Sequence, residues 1–64
     1  MLYTLYAFKS DGAALTFEMV EMDDDAQACA RADRMMAEHV NCAHVEVWEM
    51  NRQVMTAERT ARVG

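Results

Sequence analysis

The chain has 64 residues, 53% of them hydrophobic and 27% charged, which is typical of one small globular domain rather than a disordered segment. Eleven acidic residues against six basic ones give a formal net charge of −5, which argues against direct binding to nucleic acid or to an anionic membrane. Thr4 and Lys9 interrupt the short N-terminal apolar run, so we expect no signal peptide or membrane helix and a cytoplasmic location.

The first half of the chain predicts two strands joined by a turn. The segment Leu2 to Lys9 (LYTLYAFK) is rich in aromatic residues, which favour strands. The pair Asp11-Gly12 predicts a turn, because glycine adopts positive φ without steric cost. In the segment Leu15 to Met22 (LTFEMVEM), apolar and polar residues alternate at the start, as they do in a strand. These two segments should form a hairpin.

A single helix is predicted from about Asp25 to His39. Asp24 is its expected N-cap, and Gln27 three residues later completes a capping-box pattern. One side of this segment carries an apolar stripe at helical spacing, made of Ala28, Cys29, Ala32, Met35, Met36, His39 and Val40. We therefore expect one amphipathic helix in the middle of the chain.

Two further strands are predicted after the helix. The segment Ala43 to Met50 (AHVEVWEM) alternates, Asn51-Arg52 is a possible two-residue turn, and Gln53 to Glu58 returns as a fourth strand. That register places Trp48 opposite Met55 and Val47 opposite Thr56. Residues 60–64 are expected to be a frayed tail.

This order predicts an α+β fold of the ββαββ type in one domain, residues 1–64. A single helix packed on a four-stranded antiparallel sheet is the natural two-layer arrangement, with strand order 2-1-3-4. The other sheet face would be partly open. Trp48, Met50 and Met55 would form an apolar patch there with one row of the first strand, either Tyr3 and Leu5 or Tyr6 and Phe8, and such patches often mark interfaces.

The residues that carry most catalytic and metal chemistry are poorly spaced in this chain. Cys29, His39, Cys42 and His44 are the right number of ligands for zinc, but no C-x-x-C or H-x-x-x-H pair is present. Cys42 lies past the helix C-terminus, where the dipole disfavours a thiolate. Two glycines are too few for a phosphate-binding loop. We therefore predict no enzyme, no cofactor and no metal site.

An acidic cluster stands out beside the helix start. It consists of Glu18, Glu21, Asp23, Asp24 and Asp25, with Asp11 flanking it in the turn. One interpretation is a capped helix and a solvated strand face that keep a small protein soluble. The other is a negative surface that docks on a basic protein and imitates the phosphates of duplex DNA.

The small size, single domain, absence of catalytic motifs and acidic run Glu18 to Asp25 resemble the small acidic anti-CRISPR proteins of phages and mobile elements. That resemblance implies a stoichiometric, DNA-mimicking inhibitor of a type I CRISPR-Cas complex, bound to a basic nucleic-acid-binding subunit. The arginines near the C-terminus (Arg52, Arg59 and Arg62) depart from a pure DNA-mimic pattern.

A second resemblance covers more of the chain. The strand Val45 to Glu49 (VEVWE) and the ββαββ order look like those of small bacterial proteins of unassigned activity.

The leading hypothesis is a non-enzymatic acidic inhibitor that is a monomer or weak homodimer. The alternative is a small domain that homodimerises or binds a ligand through its open sheet face.

Overall fold

The computed structural model describes residues 1–59, so the expected tail of residues 60–64 lies outside the described residues. The elements are β1 (Leu2–Phe8), β2 (Ala14–Glu21), α1 (Asp25–Glu38), β3 (His44–Glu49) and β4 (Arg52–Glu58). The four strands form one sheet in the order β2-β1-β3-β4, and all neighbouring strands are antiparallel. The helix packs on one face of this sheet, which confirms the predicted α+β architecture and its strand order.

Local sequence signals set the first turn and the start of the helix. Gly12 has a φ of +88° in the turn between β1 and β2, where the Asp11 carboxylate accepts a hydrogen bond from the Ala13 N–H at 2.9 Å. At the start of α1, the Asp24 carboxylate accepts from the Gln27 N–H at 2.9 Å. The Gln27 side chain in turn accepts from the Asp23 N–H at 3.0 Å, so the helix begins at the predicted cap.

The core lies between α1 and one face of the sheet. Alternation along β1 points Tyr3, Leu5 and Ala7 toward the helix, and all three are fully buried. The other buried apolar residues come from the helix, from β3 and from the segments that flank α1: Met22, Ala28, Ala32, Met35, Met36, Cys42, Val45 and Val47. The open face is therefore the other side of the sheet.

The predicted register between β3 and β4 is wrong. The turn lies at Met50 and Asn51, one residue earlier than expected, with a φ of +58° at Met50. Glu49 consequently faces Arg52 and Trp48 faces Gln53. The earlier turn brings the Arg52 guanidinium within 3.1 Å of Glu49 and 3.2 Å of Asp25 on the helix side. Turn propensities do not include these two ion pairs, which favour the observed register.

A β-bulge then shifts the register between β3 and β4 by one residue. The register shifts between Val47 and Trp48, so Val47 faces Met55 and Glu46 faces Thr56. Met55 thereby lies on the helix side and packs against the core beside Val54. The placement of Met55 on the open face is therefore corrected, because the one-residue shift moves its side chain to the opposite side of the sheet.

Candidate functional site

The acidic residues do not form one continuous surface. Glu18 lies opposite Leu5 on the helix side of β2, with its side chain 28% exposed. There it accepts hydrogen bonds from Arg31, which extends from α1 to within 2.8 Å. This carboxylate is neutralised within the molecule and is turned toward the helix.

Asp25 has two different partners on the helix side. Its carboxylate accepts hydrogen bonds from the buried Tyr3 hydroxyl at 2.7 Å and from Arg52 at 3.2 Å. The Arg52 hydrogen bond, followed by that of Tyr3, lowers the pKa of Asp25 below its ordinary value. Burial, reinforced by the hydrogen bond to Asp25, raises the pKa of Tyr3 to about 12. Asp25 thus ties the helix start to β1 and to the first residue of β4.

The remaining acidic residues point in different directions. Glu21 lies opposite Leu2 on the open side and pairs with the N-terminal ammonium, and that hydrogen bond raises the pKa of the ammonium. Asp24 is occupied as the helix cap and Asp11 as the turn carboxylate. Among residues 1–59, the Asp23 side chain makes no hydrogen bond or ion pair, so five of the six clustered carboxylates already have a partner within the chain.

The open face carries most of the exposed apolar surface. It comprises the side chains of the four strands that point away from α1, together with Met50 in the turn after β3. Seven large hydrophobic residues are exposed in the described part of the chain, and five of them belong to this face: Leu2 (41%), Tyr6 (40%), Phe17 (61%), Met19 (59%) and Met50 (78%). Of the two predicted rows of β1, the one on this face holds Tyr6 and Phe8.

Aromatic rings form a continuous row across the three strands β2, β1 and β3. The ring centroids of Phe17 and Tyr6 are 6.2 Å apart, and those of Tyr6 and Phe8 are 6.4 Å apart. Phe8 stacks on the His44 imidazole with a centroid distance of 4.7 Å and an interplanar angle of 17°. Such spacings are those of favourable aromatic pairs, so the row is ordered by its own contacts.

A shallow groove of about 380 Å³ lies next to this row, between β1 and β3. Its walls are Tyr6, Phe8, Trp48 and Met50, and Glu46 is its one carboxylate. Glu46 Oε1 accepts a hydrogen bond from the Trp48 indole N–H at 3.1 Å, and Oε2 lies 3.7 Å from His44 Nε2. No Arg or Lys of residues 1–59 pairs with Glu46.

Two of the open-face residues escaped sequence reasoning. Phe17 and Met19 alternate correctly for a strand, but β2 carries apolar residues on both sides, since Val20 packs against the core. Periodicity separates the two sides without saying which one faces the helix. Of the three residues expected to form an apolar interface, Trp48 and Met50 lie at the groove and Met55 does not.

The cysteines and histidines do not converge. Within residues 1–59, no group of three or more His, Cys, Asp or Glu side chains is arranged to hold a metal ion. The buried Cys42 thiol donates to the His44 carbonyl at 3.3 Å, and both cysteines are free thiols.

No helix of the described part of the chain is long and apolar enough to cross a membrane.

Comparison with protein-family models, with curated proteins and with solved structures finds no match to this chain.

Proposed function

We propose that this protein is a non-enzymatic binding module that docks on a basic partner protein through its open sheet face. The observation that carries the proposal is the apolar surface on which Tyr6, Phe17 and Met19 are exposed and Phe8 and Trp48 are half-buried. Burial of apolar surface contributes roughly 25 cal/mol of favourable free energy for each Å² removed from water, and the surface left exposed does not make this contribution. That loss is large for a domain of this size.

The residue types on this face are those of protein interfaces. Tyr, Trp, Phe and Met are enriched at the centres of such interfaces, and Trp and Tyr most often carry the binding energy. The face holds one Trp, one Tyr, two Phe and two Met residues, and the rings of Phe17, Tyr6 and Phe8 follow one another across β2 and β1. Contiguous exposed apolar patches often mark interaction sites, whereas single exposed apolar residues are ordinary on protein surfaces.

Charge favours a basic partner over a second copy of the chain. The strand residues of the open face include the acidic Glu21, Glu46 and Glu58. Within residues 1–59, no strand residue of this face is a lysine or an arginine. With a net charge of −5, two copies repel each other, whereas a positively charged partner is attracted and oriented.

The DNA-mimicking anti-CRISPR inhibitor stays a prediction. The pairing of Glu18 with Arg31 and of Asp25 with Arg52 gives an acidic docking surface less support than the open face receives. A basic nucleic-acid-binding protein, including a CRISPR-Cas subunit, belongs to the class of partner proposed here, with the contact moved to the aromatic face.

Affinity capture with two matched variants tests the proposal. Phe17→Lys places a charge in the aromatic row, whereas Val40→Lys makes the same kind of change at a residue that is 83% exposed in the loop after α1. We expect the wild type and Val40→Lys to retain the same salt-sensitive basic protein and Phe17→Lys to lose it, with circular dichroism showing that all three are folded.

Two other results would each contradict the proposal. A partner that Phe17→Lys retains but Asp23→Lys loses would return the contact to the acidic cluster. A homodimer in sedimentation equilibrium that Phe17→Lys abolishes would assign the open face to a second copy, which is the alternative of self-association.

A further inference from the structure

We infer that the groove between β1 and β3 accepts an arginine side chain of the partner, with its guanidinium stacked on Trp48 and paired with Glu46. This inference deepens the proposed function and rests on it, because it assigns the chemistry that the open face recognises. It follows from the shape of the groove, the nature of its walls and a carboxylate that pairs with no Lys or Arg of residues 1–59.

The walls of the groove are suited to a flat cation. Tyr6, Phe8 and Trp48 surround a space of about 380 Å³ that is open to solvent. Aromatic faces attract cations through the ring quadrupole, and tryptophan does so most strongly. The Trp48 ring is held in place because its N–H donates to Glu46 at 3.1 Å, so little side-chain entropy remains to be lost on binding.

Glu46 supplies the negative charge that the groove needs. Its side chain is 31% exposed, and its only ion-pair neighbour in the described residues is His44 at 3.7 Å, a contact that attracts only when the imidazole is protonated. A carboxylate offers about four acceptor positions, and the Trp48 N–H fills one of them. The ion-paired carboxylates of the helix side, at Glu18 and Asp25, already have an arginine each.

Arginine matches this arrangement better than lysine does. Its guanidinium is planar, stacks on aromatic rings and donates two parallel hydrogen bonds to one carboxylate, while the lysine ammonium is a compact and strongly hydrated point charge. The molecule's own Arg31 and Arg52 pair with carboxylates on the helix side and do not line this groove. The groove thus offers a partner arginine both a stacking surface and a counter-charge.

The single tryptophan of the chain makes the test direct, because Trp48 emission reports on this groove alone. The probes are five-residue capped peptides of valine and threonine around a central arginine, lysine or citrulline. Citrulline has the shape of arginine without its charge. We expect the arginine peptide to change the emission, with lysine weaker and citrulline weaker by about tenfold or more.

Two variants separate the groove from general charge. Glu46→Gln keeps an oxygen for the Trp48 N–H but removes the charge, so it should weaken the arginine peptide by about tenfold. Asp33→Asn makes the same change of net charge on the exposed side of α1 and should leave binding unchanged.

The inference is overturned if arginine and citrulline peptides bind equally, if Glu46→Gln binds as the wild type does, or if no arginine peptide binds up to about 10 mM. These failures are distinguishable from failure of the proposed function. Partner capture that still depends on Phe17 would keep the open face as the docking surface while removing arginine as its ligand.

Discussion

The same strands build both faces of the sheet, but α1 buries one face and leaves the other exposed to solvent. Along β1, Tyr3 and Leu5 are fully buried under the helix, while their neighbours Leu2 and Tyr6 remain 41% and 40% exposed. Both sets are apolar, so the sheet is equipped to be covered on both sides, but one helix of 14 residues covers only one. An apolar face without a layer of its own is suited to receive that layer from another molecule.

Charges follow the same division. On the helix side, Glu18 and Asp25 each meet an arginine of the same chain in ion pairs that are partly exposed to solvent. On the open side, Glu46 lies among aromatic rings and finds only a tryptophan N–H and a histidine among the described residues. Two carboxylates of the helix side thus have an arginine partner, whereas Glu46 on the open side pairs with no Lys or Arg of residues 1–59.

Truncating one apolar side chain on each face gives the largest expected difference. Leu5→Ala should lower the free energy of unfolding by about 2–5 kcal/mol, because it leaves a cavity under the helix. Met19→Thr, on the open face, should change it by no more than about 0.5 kcal/mol. Urea denaturation of both variants measures the contrast. A cost at Met19 close to that at Leu5 would mean that the open face is already covered in solution, and the comparison of the two faces would then fail.

An effect of intermediate size should appear in acid. The pKa of Asp25 is lowered in the folded protein, so its contribution to stability is present above its unfolded value of 3.8 and is lost as pH falls through the folded pKa. Asp25→Asn should therefore be less stable at neutral pH and should flatten the acid limb below about pH 5. Thermal unfolding between pH 7 and pH 2 measures both effects. Asp33→Asn is the control on the outer side of α1, and an equal flattening there would refute the special role of Asp25.

The smallest expected effect contrasts two charge-neutral replacements. Glu18→Gln should lower the free energy of unfolding by about 0.5 kcal/mol, because it breaks the partly exposed pair with Arg31. Glu46→Gln should leave stability nearly unchanged, because no Lys or Arg of residues 1–59 pairs with it. Urea midpoints at low salt measure this difference. A larger loss at Glu46 than at Glu18 would show that Glu46 serves the fold rather than a ligand.

Sequence patterns predicted those features that depend on neighbouring residues. The Asp11-Gly12 turn, the Asp24 cap and the amphipathic helix each arise from local hydrogen bonds and periodicity, and each is present in the structure. The β3–β4 register escaped prediction, because the ion pair of Arg52 with Asp25 and the bulge between Val47 and Trp48 depend on how separate elements pack. The candidate site shared that difficulty, since Met55 left the open face while Phe17 and Met19 proved to belong to it.

The sequence by itself determined the ββαββ order, the alternation of the strands and the excess of negative charge. Only the tertiary structure decided which side of each strand the helix covers, which carboxylates meet an arginine, and that Glu46 lies among Tyr6, Phe8 and Trp48. The physical reason is that a strand with apolar residues on both sides has no inner side of its own. The single helix creates that distinction when it packs, and it leaves the opposite face to the solvent or to a partner.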